Sequence, residues 1–282
     1  KVEGIRMLKR VLTTVIGVGI IIAIFILDSF QFIKGPFIFN IALSIISCMM
    51  TYEFYDAVSK KGVKPIKNLG YLASLAILPI GLVKPEIITL LYFMLFPILI
   101  LVSFIESLRT NIKYNIIDIA VTIFGPLYTV FLSSFISHTR AMDNGNGVWY
   151  VWFILGGAWV TDIFAFLVGK TIGKHKVSKI SPKKSWEGCL GGLVGAIIFF
   201  IIFTKILHNL QIVELNYIVM GILGGIVSII SQIGDFSASS IKRYCDVKDF
   251  SDLMPGHGGM LDRFDSILFV APVVYFALTI LI

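Results

Sequence analysis

A chain of 282 residues that is 57% hydrophobic and only 15% charged, with a mean hydropathy of +0.90, has too little polar surface to wrap a water-soluble globule of its size. Its apolar runs match the length a helix needs to cross a hydrocarbon core roughly 30 Å thick, and the dyad alternation of an outer-membrane barrel is missing. The net charge of +7 is explained by membrane topology and attraction to anionic lipid headgroups, without invoking nucleic acid.

In chain order the apolar runs predict an all-α, polytopic integral membrane protein with about nine transmembrane helices. They are Val11–Leu27, Pro36–Tyr55, Leu69–Val83, Ile87–Ile105, Ile116–Ile136, Val148–Val168, Gly188–Ile206, Ile218–Ile233 and Ser266–Ile282. The first follows Lys9-Arg10 as a signal peptide would, but its apolar core is long and no small-x-small cleavage site follows Asp28, so it is read as a retained span. The third is short and contains Pro79, which fits a re-entrant segment. With the N-terminus in the cytoplasm, 20 of the 24 basic residues fall on the cytoplasmic side, leaving Lys34, Lys84, Arg140 and Lys205 outside. Residues 1–147 then form an N-terminal set of five spans. Residues 148–282 form a catalytic membrane region of four spans with cytoplasmic loops at 169–187 and 234–265. Cys48, Cys189 and Cys245 are odd in number and widely spaced, which points to reduced thiols rather than a disulfide framework or a zinc site.

Those two loops carry the chemistry. The first holds six lysines and ends in Ser181-Pro182-Lys183-Lys184-Ser185-Trp186-Glu187-Gly188. The second packs six aspartates and four basic residues into 32 positions around Pro255-Gly256-His257-Gly258-Gly259. Asp235 lies where the eighth span meets the surface, and Asp262 opens the last helix with Asp265 and Ser266 along the same face. Carboxylates so held suit a hard divalent cation such as Mg²⁺, which shares its oxygen ligands with substrate phosphates; alternatively they pair with Arg243, Lys248 and Arg263, and Asp262 caps a helix. Gly256, Gly258 and Gly259 allow close backbone approach to an anion, and the N–H groups opening the next helix offer it partial positive charge. His257 suits either a phosphate contact or proton transfer, or a structural hydrogen bond. Lys183 and Lys184 suit either a triphosphate clamp or topological anchoring. Asp162, Glu53 and Asp118 lie near the cytoplasmic ends of their spans and need water, a cation or a partner. Asp162 leads into the lysine loop and is the site candidate of the three. Glu53 and Asp118 are also free to snorkel or to pair with Lys60, Lys61 or Lys113. Gly169-Lys170-Thr171 lacks the upstream glycine of a nucleotide-binding P-loop.

The ordered run Ser239-Ser240-Ile241-Lys242-Arg243, then Lys248-Asp249, then Pro255-Gly256-His257-Gly258-Gly259-Met260-Leu261-Asp262-Arg263-Phe264-Asp265 resembles the signature of the phosphatidate cytidylyltransferases. Met254 replaces the Leu, Ile or Phe usual before the proline. Gly234-Asp235 and the 181–188 motif, with Ser185 where threonine is common, extend the resemblance over the C-terminal half. It implies a multi-span helical enzyme, often dimeric, that uses CTP, phosphatidic acid and Mg²⁺, alone or with a second cation. By the same resemblance Asp235 and Asp262 hold metal. Lys183, Lys184, Lys242, Arg243 and Arg263 contact phosphates. Ser239, Lys248, Asp249, His257, Asp265, Glu187 and the loop glycines complete the site. A bacterial inner membrane with the active site facing the cytoplasm is the expected location. The competing readings are a CTP-dependent enzyme acting on another membrane lipid, and a cation transporter using Glu53, Asp118 and Asp162.

Overall fold

The computed structural model describes residues 36–142, 145–177, 181, 184–254 and 258–282, together with residues 19, 23, 24 and 28. The predicted span Val11–Leu27 lies almost wholly outside the described residues, as do Lys183, Gly256 and His257. Eight helices are numbered here: α1 (Phe37–Ser59), α2 (Lys67–Ala73), α3 (Pro85–Arg109), α4 (Ile116–Arg140), α5 (Gly147–Ile172), α6 (Trp186–Asn209), α7 (Tyr217–Tyr244) and α8 (Leu261–Leu281). All but α2 are long and apolar enough to cross a membrane, and they coincide with the second and the fourth to ninth predicted spans. The chain is an integral membrane protein, and the large side chains exposed along α3, among them Leu90, Phe93, Leu101 and Leu108, are the surface such a helix turns to lipid.

Two compact units divide the structure: residues 1–141 with 244–263, and residues 142–243 with 264–282. In the first, α1 is apolar overall but buries a line of small polar side chains that finds partners on both sides. Ser47 bonds Ser133 at 2.7 Å, Thr51 bonds Thr129 at 2.6 Å, and Tyr55 donates to the Thr122 carbonyl at 2.6 Å, so α4 runs antiparallel to α1. Such bonds hold helices together where lipid supplies no hydrophobic driving force. Pro126 has no N–H to donate, and the five residues after it, Leu127–Phe131, widen into a π turn before α4 resumes.

The third predicted span is where the structure departs from a simple helix count. Leu69–Val83 is not one long helix: α2 gives way to a 3₁₀ turn at Ser74–Ile77 and then to turns around Pro79. Yet the segment is not re-entrant. Tyr55 packs on Gly70, Ser44 donates to the Ser74 carbonyl at 2.8 Å, and Asn40 donates to the carbonyls of Leu78 and Ile80 at 3.2 and 2.7 Å. It therefore descends antiparallel to α1 over about 22 Å of that helix's length, by the rise of an α-helix between residues 40 and 55. The carbonyls freed by the broken helix are those that Asn40 and Ser44 satisfy, which lets an irregular backbone persist at this depth.

The same unit gathers three loops at one end. The Lys64 N–H donates to Asp118 Oδ1 at 2.6 Å, while Asp118 Oδ2 and the Asn115 side chain form a capping box at the start of α4. Lys61 pairs with Asp246 just after α7. The basic segments 60–67 and 109–113 and the loop after α7 thus share an end, as the charge partition expects. Asp118 neither snorkels nor meets Lys113; it is a helix cap. At the other end Arg140 and Asp28 form a buried pair at 2.5 Å.

In the second unit glycines set the spacing. Alanine at Gly188 or Gly192 would bring its methyl to 2.6 and 2.8 Å from the carbonyls of Ala165 and Thr161, and a methyl at Gly224 would lie 2.8 Å from the Ala196 carbonyl. So α5 packs on α6, and α6 on α7, with backbones in near contact, the small-residue packing of membrane helices. All three cysteines are free.

Candidate functional site

In the first unit the loop between α7 and α8 is closed by two carboxylates. Asp262 Oδ2 accepts from the Phe250 and Gly259 N–H groups at 2.8 and 2.9 Å. Glu53, reaching in from α1 and 1% exposed, accepts from Ser251 Oγ at 2.5 Å, from the Met260 N–H at 2.8 Å and from the Leu261 N–H at 2.7 Å. Gly258 sits at φ +82°, a left-handed conformation, and the Met254 N–H donates to its carbonyl at 3.0 Å, completing the turn. Two expectations change. The N–H groups that open α8 face Glu53, so for Met260 and Leu261 the anion at the helix N-terminus is the protein's own carboxylate rather than a substrate phosphate. Gly259 likewise lacks a side chain to admit Glu53, whose Oε2 would lie 2.6 Å from an added methyl. Nor does Glu53 pair with Lys60 or Lys61, whose partners are Asp56 and Asp246. Lys248, Asp249 and Arg263 stand exposed around this loop.

In the second unit charge gathers where α5, α7 and α8 carry Asp162, Asp235 and Asp265. Asp235 Oδ2 pairs with Lys184, and its Oδ1 receives a 3.4 Å contact from Ser239 Oγ one turn on. Lys184 also lies 4.1 Å from the centre of the Phe236 ring, a cation–π contact that fixes its otherwise mobile stem. Asp265 is 8% exposed, accepts from the Ser266 N–H at 2.7 Å, and lies within electrostatic reach of Asp235, Asp162 and Lys242. The close approach of α7 to α8 rests on Gly234, where an added methyl would stand 2.8 Å from the Asp265 carbonyl oxygen. Lys242 is half-buried and Arg243 exposed at the end of α7.

The lysine loop is formed rather than a slack linker. Lys176 and Ser185 make an antiparallel bridge, the Trp186 N–H donates to the His175 carbonyl at 2.9 Å, and Ser185 caps α6 by accepting from the Gly188 N–H at 3.2 Å. Glu187 meets His175 Nδ1 at 2.6 Å, tying the ends of this loop together. His175, Phe236 and Ser251 escaped the sequence reading because an ion-pair partner or a ring face has no spacing signature. Gly234 was visible only as the neighbour of an aspartate.

These donors suit a hard cation. Among the described residues no three His, Cys, Asp or Glu side chains form a complete ligand set by themselves. Mg²⁺, however, commonly takes one or two carboxylates and fills its remaining positions with water and substrate phosphate. A buried carboxylate beside two other acids is electrostatically costly in a way that a divalent cation offsets. Next to Asp265, the Ser266 hydroxyl is a buried oxygen with no hydrogen-bond partner in the structure, a further donor of the hard type.

Comparison with known proteins identifies the family. The sequence profile described as "Cytidylyltransferase family" matches residues 8–281. A phosphatidate cytidylyltransferase of Bacillus subtilis is 30% identical over 283 aligned residues, covering 98% of this chain and 99% of that protein. One from Synechocystis is 31% identical, with 97% of each chain covered. One from Thermotoga maritima is 37% identical over a shorter stretch, 54% of this chain and 56% of that protein.

Proposed function

Because the chain belongs to the cytidylyltransferase family, we propose that it transfers CMP from CTP to phosphatidic acid, giving CDP-diacylglycerol and pyrophosphate. The observation that carries this reading is similarity end to end with phosphatidate cytidylyltransferases of two distant bacteria, at 97–99% coverage of both. A phosphate oxygen of the lipid attacks the α-phosphorus of CTP, the bond to the β-phosphate breaks, and pyrophosphate leaves with the bonding electrons. The lipid brings its own nucleophile, so no covalent enzyme intermediate is needed, and catalysis rests on positioning and on neutralising charge. Asp235, with Asp265 beside it, and Asp262 are each carboxylates that would offer oxygen to Mg²⁺, which when bound would offset the negative charge of the phosphates. Lys183, Lys184, Lys242, Arg243 and Arg263 receive the phosphate oxygens. The protein works as a homodimer in a bacterial inner membrane, with these loops facing the cytoplasm, where CTP is found.

The direct test is CTP-dependent pyrophosphate release by the purified, detergent-solubilised protein, with phosphatidic acid present or omitted and with Mg²⁺ present or chelated. Release that needs both is the expected result. No release from folded, lipid-supplemented protein would remove the assigned reaction.

Lys184 gives a narrower expectation. Held by Asp235 and Phe236, it has to exchange the carboxylate for phosphate oxygens when substrate arrives. Lys184→Ala should lower kcat/KM for CTP on the order of tenfold, the worth of one charged hydrogen bond. Steady-state rates at varied CTP and fixed lipid check this; a change confined to the lipid KM would reassign Lys184 to phosphatidic acid.

A further inference from the structure

We infer that Glu53, from the N-terminal half of the chain, is a positioning residue that sets the Asp262 carboxylate for the reaction, an inference that rests on the transferase reading. The three segments involved, Glu53 on α1, residues 250–251 and residues 259–262, all belong to the first unit. Glu53 joins Ser251 to Met260 and Leu261, while Asp262 joins Phe250 to Gly259. Two carboxylates therefore clamp the same two stretches of chain at adjacent residues, on either side of the glycine turn.

The charge of Glu53 is used fully by this arrangement. One oxygen takes Ser251 Oγ and the Met260 N–H, the other takes the Leu261 N–H, and both N–H groups are helix-opening donors that a helix itself leaves without a partner, at the positive end of α8. With Glu53 in place, the first turn of α8 cannot rotate or slide without breaking the two hydrogen bonds from Met260 and Leu261 to a buried carboxylate. Asp262 is the second residue of that turn, and its Oδ2 is committed to the loop, so the direction of its other oxygen follows from the position of the helix start. Gly259 is the complement of this device, since no larger residue would let the Glu53 carboxylate approach. Glutamine cannot replace it without fault. Whichever way the amide is turned, its NH₂ faces a backbone N–H, that of Met260 or of Leu261, and the negative charge at the helix start is gone.

A plain helix cap would alter stability and leave the folded enzyme's chemistry alone; a positioning residue changes the folded enzyme. The test compares wild type with Glu53→Gln, Ser251→Ala and the double variant, per amount of folded protein. Glu53→Gln should lower kcat about tenfold or somewhat more, in the range expected for a small displacement of a reacting group. It should raise the Mg²⁺ concentration for half-maximal rate several-fold and leave the KM for CTP within about twofold. Ser251→Ala should lower kcat about threefold, and the double variant should be no worse than Glu53→Gln alone, because Ser251 acts through Glu53. Amide hydrogen exchange, which needs no turnover, should show faster exchange at Phe250, Gly259, Met260 and Leu261 in Glu53→Gln than in wild type.

Wild-type kcat and Mg²⁺ requirement in folded Glu53→Gln would overturn the inference. So would an activity loss that matches the loss of folded protein with the Mg²⁺ requirement unchanged. Should Glu53→Gln fail to fold, Ser251→Ala decides, and wild-type kinetics and exchange in that variant would overturn it. An inactive wild type would sink the transferase reading alone, leaving the exchange comparison to judge whether Glu53 holds the loop.

Discussion

Asp262→Asn is expected to lower turnover by at least about 10³-fold, the scale of losing a principal charge-stabilising element, while the protein still folds and inserts. The separation is expected because the loop contact needs only an acceptor, whereas the proposed metal contact needs the charge. Asp262 Oδ2 accepts from the Phe250 and Gly259 N–H groups, and an asparagine carbonyl in the same place can accept both. The loop is then kept while the negative charge is lost. Asp262→Ala removes the acceptor as well and should also lower thermal stability, by about 1–3 kcal/mol for the two N–H groups left without a partner. Asp235→Asn should be as inactive as Asp262→Asn, for a related reason: the amide cannot balance Lys184 or bind a cation as a carboxylate does. Pyrophosphate release per folded protein, with melting followed by circular dichroism in detergent, checks all three. Full activity in either asparagine variant would remove that aspartate from the metal assignment.

Gly234→Ala should be the most damaging substitution of one small residue by another. The added methyl would stand 2.8 Å from the Asp265 carbonyl oxygen and 3.1 Å from Ser266 Cα, both backbone atoms, so no rotamer change relieves it. The two helices have to move apart, and overpacking of this kind costs about 1–3 kcal/mol. The larger consequence is chemical. Asp235 follows Gly234 on α7 and Asp265 is the residue struck on α8, so separation of the helices displaces the two carboxylates from each other. Turnover is expected to fall by about 10²-fold or more, as displacements near 1 Å do in a site that works by positioning. Gly225→Ala, on the same helix with only ordinary van der Waals neighbours at 3.6 Å, is the control and should stay close to wild type in both rate and melting temperature. Equal behaviour of the two variants would show that the α7–α8 spacing does not matter to the reaction.

Hydropathy alone was enough to locate the seven long helices, since in a bilayer each spanning segment must satisfy its own backbone and therefore announces itself as an unbroken apolar run. The signature from Ser239 to Asp265 was equally legible, because it is an ordered run of particular residues at fixed positions, and the family it resembles is the one whose profile matches the chain. The third span was only half legible. Its length and Pro79 mark it as irregular, but whether it turns back or crosses depends on the hydrogen bonds that Asn40 and Ser44 make with carbonyls 30 to 40 residues away.

The roles of the buried acids were beyond a linear reading for the same reason. Glu53, Asp118 and Asp162 look alike in sequence, each an acid near the end of an apolar run. Tertiary structure makes Glu53 a clamp on a loop some 200 residues away, makes Asp118 a helix cap that also holds the Lys64 N–H, and leaves Asp162 within reach of the Asp265 charge. The sequence by itself determined that this is a helical membrane protein, where its long helices run, and which residue types could meet phosphate and metal. Only the tertiary structure decided which carboxylates are spent on backbone N–H groups and which keep company with other charges. Hydropathy is a local property that each segment carries alone, whereas a buried charge takes its meaning from the donor that happens to lie opposite it in the folded chain.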